Sequence, residues 1–166
     1  MRYLGLLVLG FATGAYATGN HCSPQEQVVF SCAIKKSPKV VSVCASSNLS
    51  SSEGTIAYRF GILGKPEFQF PPRTDGSVKS FRFAHYSRYQ VERAELSFDS
   101  GNFSYTIFDY YEGEEKPPYM RGVRVSPKDG KGKDIELQCS GKVISSLTKV
   151  EGVVPCDKEN ALATCN

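Results

Sequence analysis

Residues 94–110, AELSFD-SGN-FSYTIFDY, constrain the fold more than any other stretch of the chain. Ala94, Leu96 and Phe98 alternate with Glu95, Ser97 and Asp99, the two-residue period of a strand with one buried and one wet face. After Ser100-Gly101-Asn102 the alternation resumes, with Phe103, Tyr105 and Ile107 on one face and Thr106, Phe108 and Tyr110 on the other. Bulk on both faces marks a central strand. Glycine and asparagine tolerate the positive φ of a tight turn, so the two runs read as a β-hairpin.

Similar signals recur along the chain. Residues 27–32 (QVVFSC) and 40–45 (VVSVCA) are β-branched runs around a basic tip, Lys35-Lys36-Ser37-Pro38-Lys39. Residues 55–62 set Ile56, Tyr58 and Phe60 against Ala57 and Arg59, and residues 68–70 stop at Pro71-Pro72 as an edge strand would. Residues 80–84 place Phe81 and Phe83 opposite Arg82, and a polar and aromatic mixture follows over residues 85–93. Beyond the central hairpin come an acidic loop (111–118), a strand (121–125) and a glycine- and lysine-rich turn (128–133). A last hairpin is expected from residues 135–139 and 143–150 across Ser140-Gly141-Lys142. Helical periodicity nowhere exceeds about two turns. The chain is therefore expected to be all-β, an antiparallel barrel or sandwich of about eight or nine strands, with one helical turn over residues 157–163 capped by Asp157.

Arg2, the apolar run 3–12 and Ala15-Tyr16-Ala17 form a secretory leader, residues 1–17. The apolar run is far short of the roughly 20 residues that span a bilayer. A single β domain over residues 18–166 follows, with a cysteine-linked extension from about 151 onward. Cys22, Cys32, Cys44, Cys139, Cys156 and Cys165 all fall in the exported part and imply three disulfides in a periplasmic or secreted protein. Six cysteines allow fifteen connectivities. The expected one joins Cys32 to Cys139, Cys22 to Cys44 and Cys156 to Cys165. Without a paired C-x2-C, and with His21 and His85 as the only histidines, zinc is not expected, nor is any other metal or cofactor. The chain has 20 basic and 17 acidic side chains, and removal of Arg2 leaves 19 against 17. That balance draws it to neither nucleic acid nor an anionic membrane.

Catalytic signatures are sparse. His85 is the one histidine within the β domain proper, and no G-x-S-x-G elbow accompanies it. Glu112, Glu114 and Glu115 share one loop rather than flanking a cleft. In residues 129–134 lysines stand where a calcium loop needs oxygen ligands. Asn48-Leu49-Ser50 and Asn102-Phe103-Ser104 are formal glycosylation sequons. The richer constellation is Arg82, His85, Tyr86, Arg88, Tyr89 and Arg93, with Arg59 as a further member. Arginine forks and rigid tyrosines are the mixture enriched at interfaces, and they also stack on sugars or bases.

Two resemblances accompany these residues. The order Phe30-Ser31-Cys32, Val43-Cys44-Ala45-Ser46, Tyr58-Arg59-Phe60-Gly61, Ser87-Arg88-Tyr89, Ser104-Tyr105 and Cys139 resembles small exported bacterial proteins, which implies a bacterial source and an envelope location. As an exported, disulfide-linked, all-β chain, the protein is also similar to the periplasmic lysozyme inhibitors. Their C-type members carry an S-G-x-x-Y loop whose serine reaches into the lysozyme cleft. Ser100-Gly101-Asn102-Phe103-Ser104-Tyr105 is one residue longer than that loop, and Tyr119-Met120-Arg121-Gly122 stands in for a second motif, tyrosine followed by Thr-Lys-Gly. The resemblance implies a protein partner, such as a lysozyme or wall hydrolase. It would be gripped by Ser100, Gly101 and Asn102, with Tyr105 in support and Arg88 and Tyr89 on the flanks. Arg82 and His85 extend that binding set. The alternatives are a carbohydrate- or surface-binding module using the same tyrosines, and a small envelope hydrolase working through His85.

Overall fold

The computed structural model describes residues 19–165, and the expected leader at residues 1–17 lies outside the described residues. Nine strands follow in chain order. They are β1 (Glu26–Ile34), β2 (Lys39–Ser46), β3 (Ile56–Ile62), β4 (Lys65–Phe70), β5 (Arg82–Arg88), β6 (Val91–Ser100), β7 (Phe103–Glu112), β8 (Tyr119–Pro127) and β9 (Ile135–Ser145). They form one antiparallel sheet in the spatial order β4-β3-β2-β1-β9-β8-β7-β6-β5, curled into a half barrel. Two meanders, β1 to β4 and β5 to β9, are joined where β9 pairs with β1. The open edges are β4 and β5, and Lys65 and Pro66 blunt the first of them.

The concave face is the core, and aromatic rings fill it. Phe98 of β6 stacks on Phe70 of β4 at 4.2 Å and on Tyr105 of β7 at 5.0 Å, and it meets Tyr58 of β3 at 5.1 Å. Strands far apart in the sheet thus meet across the concavity. Tyr58 lies so deep that burial, with Tyr105 beside it, pushes its phenol well above the usual tyrosine range.

The central hairpin forms between β6 and β7, with Ser100 paired to Phe103 across Gly101-Asn102. Three local expectations change. Residues 135–145 make one strand rather than a hairpin, because Ser140-Gly141-Lys142 forms a bulge against β1 and Gly141 takes φ +66° there. Residues 85–88 continue β5, since pairing with β6 overrides their mixed polarity. Residues 157–163 form two successive turns in place of a helical one, with the Asn160 N–H donating to the Asp157 carbonyl and the Ala163 N–H to that of Asn160.

The face of β6 expected to be wet is also covered. Glu95 is 6% exposed and Ser97 5%, because the C-terminal segment crosses them. That segment pairs with the β5 edge through a parallel bridge between Phe83 and Cys156. Asp157 then accepts a hydrogen bond from Ser97, and Asn160 donates one to Glu95 at 2.5 Å. Glu95 also accepts from the Tyr110 hydroxyl and lies 3.5 Å from Arg124. Burial and the neighbouring Glu95 carboxylate push the Tyr110 hydroxyl up to about 12.

Disulfides join Cys22 to Cys44, Cys32 to Cys139 and Cys156 to Cys165, the chemistry of an oxidising compartment. The first pins the N-terminal segment onto the convex side of β2. Beside it Arg59 forks onto Glu26 through bonds of 2.6 and 2.9 Å. Burial works against ionisation of Glu26, but the Arg59 fork and Ser23 outweigh it and hold the carboxyl below its usual range. Asp99 is held low in the same way, with Ser104, Arg82 and Lys128 outweighing its burial.

A folded-state value below the unfolded one means that this stabilisation is complete above the unfolded carboxyl range of about 4 and is lost as pH falls through the lower folded values. Urea midpoints are therefore expected to hold from neutral pH to about 5 and to drop below about 4. Glu26→Gln is expected to cost about 1 to 3 kcal/mol at neutral pH and to shallow the acid limb. An unchanged acid limb in that variant would remove Glu26 from the account.

Candidate functional site

Three neighbouring strands turn polar at the same end of their inward faces. On β6 the series Phe98, Leu96, Ala94 ends in Glu92, and on β7 Tyr105 and Ile107 give way to Asp109 and Tyr111. On β8 Val125 and Val123 give way to Arg121 and Tyr119. The register aligns His85, Ala94, Asp109 and Arg121 in one cross-strand row, and Glu92, Tyr111 and Tyr119 in the next. All of these but His85 line a recess of about 370 Å³ whose far wall is Ser145 to Thr148, at the small end of the roughly 300 to 1,000 Å³ usual for ligand pockets.

The chemistry there is mixed. Arg121 Nε donates to Asp109 Oδ1 at 2.6 Å, and its guanidinium lies 3.9 Å from the centre of the Tyr119 ring. Tyr111 and Tyr119 are 5.1 Å apart, with Tyr119 48% exposed at the mouth. Such a recess offers a half-exposed aromatic surface, a fork of donors and a carboxylate within a few ångströms of one another.

His85 lines a second recess, of about 340 Å³, under the C-terminal loop, and reaches the first only through its neighbour Glu92. Its Nδ1 lies 3.0 Å from Glu151 Oε2, and its buried Nε2 lies 3.3 Å from Glu92 Oε1 without the alignment of a hydrogen bond. Both ring nitrogens therefore face carboxylates. Thr164 reaches His85 only at the backbone, where its hydroxyl donates to the carbonyl. A nucleophile–base pair needs a hydroxyl or thiol on the ring; here Nδ1 meets the Glu151 carboxylate, and the atom nearest Nε2 in an ion pair is a Glu92 carboxylate oxygen. Among the described residues no group of three or more His, Cys, Asp or Glu is arranged to hold a metal, and no helix is long and apolar enough to cross a membrane.

The residues singled out in the sequence are dispersed over this scaffold. Ser100, Gly101 and Asn102 form the β6–β7 turn, beside a shallow groove of about 640 Å³ that Phe103, Lys128 and Lys131 complete. That tip is flush with its neighbour: Phe103 pairs with Pro127, and the Lys128 N–H donates to the Asn102 carbonyl at 2.9 Å. Tyr105 is committed to the core through its parallel stack on Phe98. Arg82 lies on the convex face, 3.3 Å from Asp99 and 3.7 Å from Asp157.

Arg88 and Tyr89 sit at the β5–β6 turn, exposed, at the opposite end of β6 from Ser100. Ten residues of strand separate the two ends, roughly 30 Å at the usual rise. Arg88 and Tyr89 therefore do not flank the Ser100 turn, and His85, which points inward, does not share the arginines' face. Glu92, Asp109 and Tyr111 are not among the site residues expected from the sequence, and Tyr119 and Arg121 enter there only within the stand-in for the second inhibitor motif. The signal for them was present as three inward faces that change from apolar to polar at matching register, and seeing it needs the strand alignment.

Comparisons of the chain with protein-family models, curated proteins and solved structures find no match. Function is therefore argued from the site itself.

Proposed function

We propose that this protein is an exported binding module that seats a macromolecular partner in the recess between β6, β7 and β8, and does not transform it. The observation that carries this reading is the Asp109–Arg121–Tyr119 arrangement inside a concave pocket, with the neighbouring His85 bonded at Nδ1 to Glu151 and facing Glu92 at Nε2. The three disulfides and the expected leader fit a periplasmic or secreted location. A lysozyme-type partner gripped by insertion of the Ser100 turn fits less well, because that turn stands no further out than the β8–β9 loop beside it.

The test is a binding screen of the disulfide-intact protein against a lysozyme panel and a glycan array, repeated with Tyr119→Ala and Asp109→Asn. Each variant is expected to weaken the bound partner by about tenfold or more, as loss of a well-packed anchor does. Two results would sink the proposal: a partner that ignores both changes and is lost with Asn102→Ala, or a hydrolytic activity abolished by His85→Ala.

A further inference from the structure

The wall of the recess between β8 and β9 is a split within the sheet. Strand β9 pairs with β8 only from Ile135 to Gln138, opposite residues 122–125. The next residue, Cys139, is tied to Cys32 of β1, with the two Cα atoms 5.6 Å apart. From Ser140 to Ile144 β9 advances four residues while β1 advances two, from Ala33 to Ser31, so the surplus bulges out. Strand β9 therefore leaves β8 and follows β1. Among the described residues, 119–121 of β8 pair with β7 alone, and Ile144 and Ser145 of β9 pair with β1 alone.

The backbone parity of these two edges follows from neighbouring bonds. The Glu112 N–H donates to the Pro118 carbonyl, so even-numbered residues of β8 face β7, and Tyr119 and Arg121 turn their N–H and C=O groups toward the split. The Ser146 N–H donates to the Val29 carbonyl, so Val143 and Ser145 turn theirs toward the split from the other side. Among the described residues, two strand edges whose facing donors and acceptors have no ladder partner thus confront one another within a sheet. Side chains flank the opening in the order a strand requires. Tyr119, Arg121 and Ser145 lie on the recess side, and the exposed Met120 and Ile144 lie on the convex side.

We propose that the split receives an extended segment of a partner polypeptide, which adds a strand between β8 and β9. The inference rests on the reading of the recess as the ligand site and supplies the partner's chemistry. Unpaired N–H and C=O groups at ladder spacing on facing edges are matched by a peptide backbone, whose own groups alternate at the same spacing. A glycan has no such repeat. One side chain of the segment enters the recess beside Asp109 and Arg121, and its neighbours along the strand lie between Met120 and Ile144, which favours an apolar residue there.

The test uses a phage-displayed library of random decapeptides panned on the disulfide-intact protein, with enriched peptides measured by fluorescence anisotropy and amide exchange. Enriched peptides are expected to alternate in polarity and to protect the amides of Tyr119, Arg121, Val143 and Ser145. Ser145→Pro removes an N–H that faces the split while sparing the β1 ladder, and is expected to weaken binding at least tenfold. Deleting Gly141 and Lys142 removes the bulge and is expected to abolish binding. Should either variant fail to fold by circular dichroism, protection of the four amides in the unaltered protein decides the question. No enriched peptide, or peptides that leave those amides unprotected, would overturn strand addition. A glycan that binds, is lost with Tyr119→Ala and has no peptide rival would overturn it too, while leaving the recess as the ligand site. Peptides that bind and ignore Tyr119→Ala, Asp109→Asn and Ser145→Pro would remove both readings.

Discussion

Replacing Cys32 and Cys139 together by alanine is expected to lower stability by about 4 to 5 kcal/mol. The pair closes a loop spanning a sequence separation of 107 residues, and the entropy withheld from the unfolded chain grows with the logarithm of loop length. The Cys156–Cys165 pair spans a separation of only 9, for which the same relation gives roughly 2 to 3 kcal/mol. Urea denaturation of the two double variants separates them. A Cys32/Cys139 variant no less stable than the Cys156/Cys165 variant would show that the long loop is already restricted before folding. The long-range pair also has a structural task, because it fastens β9 to β1 at the point where β9 stops pairing with β8. Its loss is therefore expected to blur the amide signals of Tyr119, Arg121 and Ser145 ahead of those in the β6–β7 hairpin.

The parts of this fold that were legible in the sequence are those written in local periodicity. The alternation of Ala94, Leu96 and Phe98, and its resumption at Phe103, gave β6, β7 and the turn between them, because pairing and burial there agree with the pattern. Pro71-Pro72 likewise marked the end of an edge strand. What was illegible depends on segments that meet only in space. Glu95 and Ser97 read as solvent-facing and are buried because residues 156–165, more than fifty positions away, lie across them. Ser140-Gly141-Lys142 has the composition of a hairpin turn, yet β1 continues to pair on both sides of it and turns it into a bulge. His85 was grouped with Arg82 and Arg88 by proximity in sequence, although the strand period sends it to the other face. The recess is illegible for the same reason: it is a property of register across four strands, and no single stretch contains it.

Phe98→Ala is expected to cost about 3 to 5 kcal/mol, the upper part of the range for large-to-small core changes. Phe98 is fully buried and touches rings from both ends of the sheet, Tyr58 and Phe70 on one side and Phe81 and Tyr105 on the other. A half barrel has no ladder of hydrogen bonds between its two edges, so what holds β3 and β4 against β6 and β7 is side-chain packing across the concavity. Truncating Phe98 removes the ring at the centre of that packing, and the surrounding aromatics, already in mutual contact, have little room to close the void. Phe98→Leu keeps most of the volume and is expected to lose less, about 1 to 2 kcal/mol. Near-ultraviolet circular dichroism adds a readout that stability alone lacks: the tyrosine signal of Tyr58 and Tyr105 is expected to collapse in Phe98→Ala and persist in Phe98→Leu. A loss below about 1.5 kcal/mol in the alanine variant would mean that the edges are held together elsewhere. The remaining tie on that side is the chain from Pro71 to Phe81, with Val78 buried in the core and the Ser77 hydroxyl accepting a hydrogen bond from the Ile56 N–H at 2.8 Å. Combining Phe98→Ala with Ser77→Ala would then expose that tie, as a loss larger than the sum of the two separate ones.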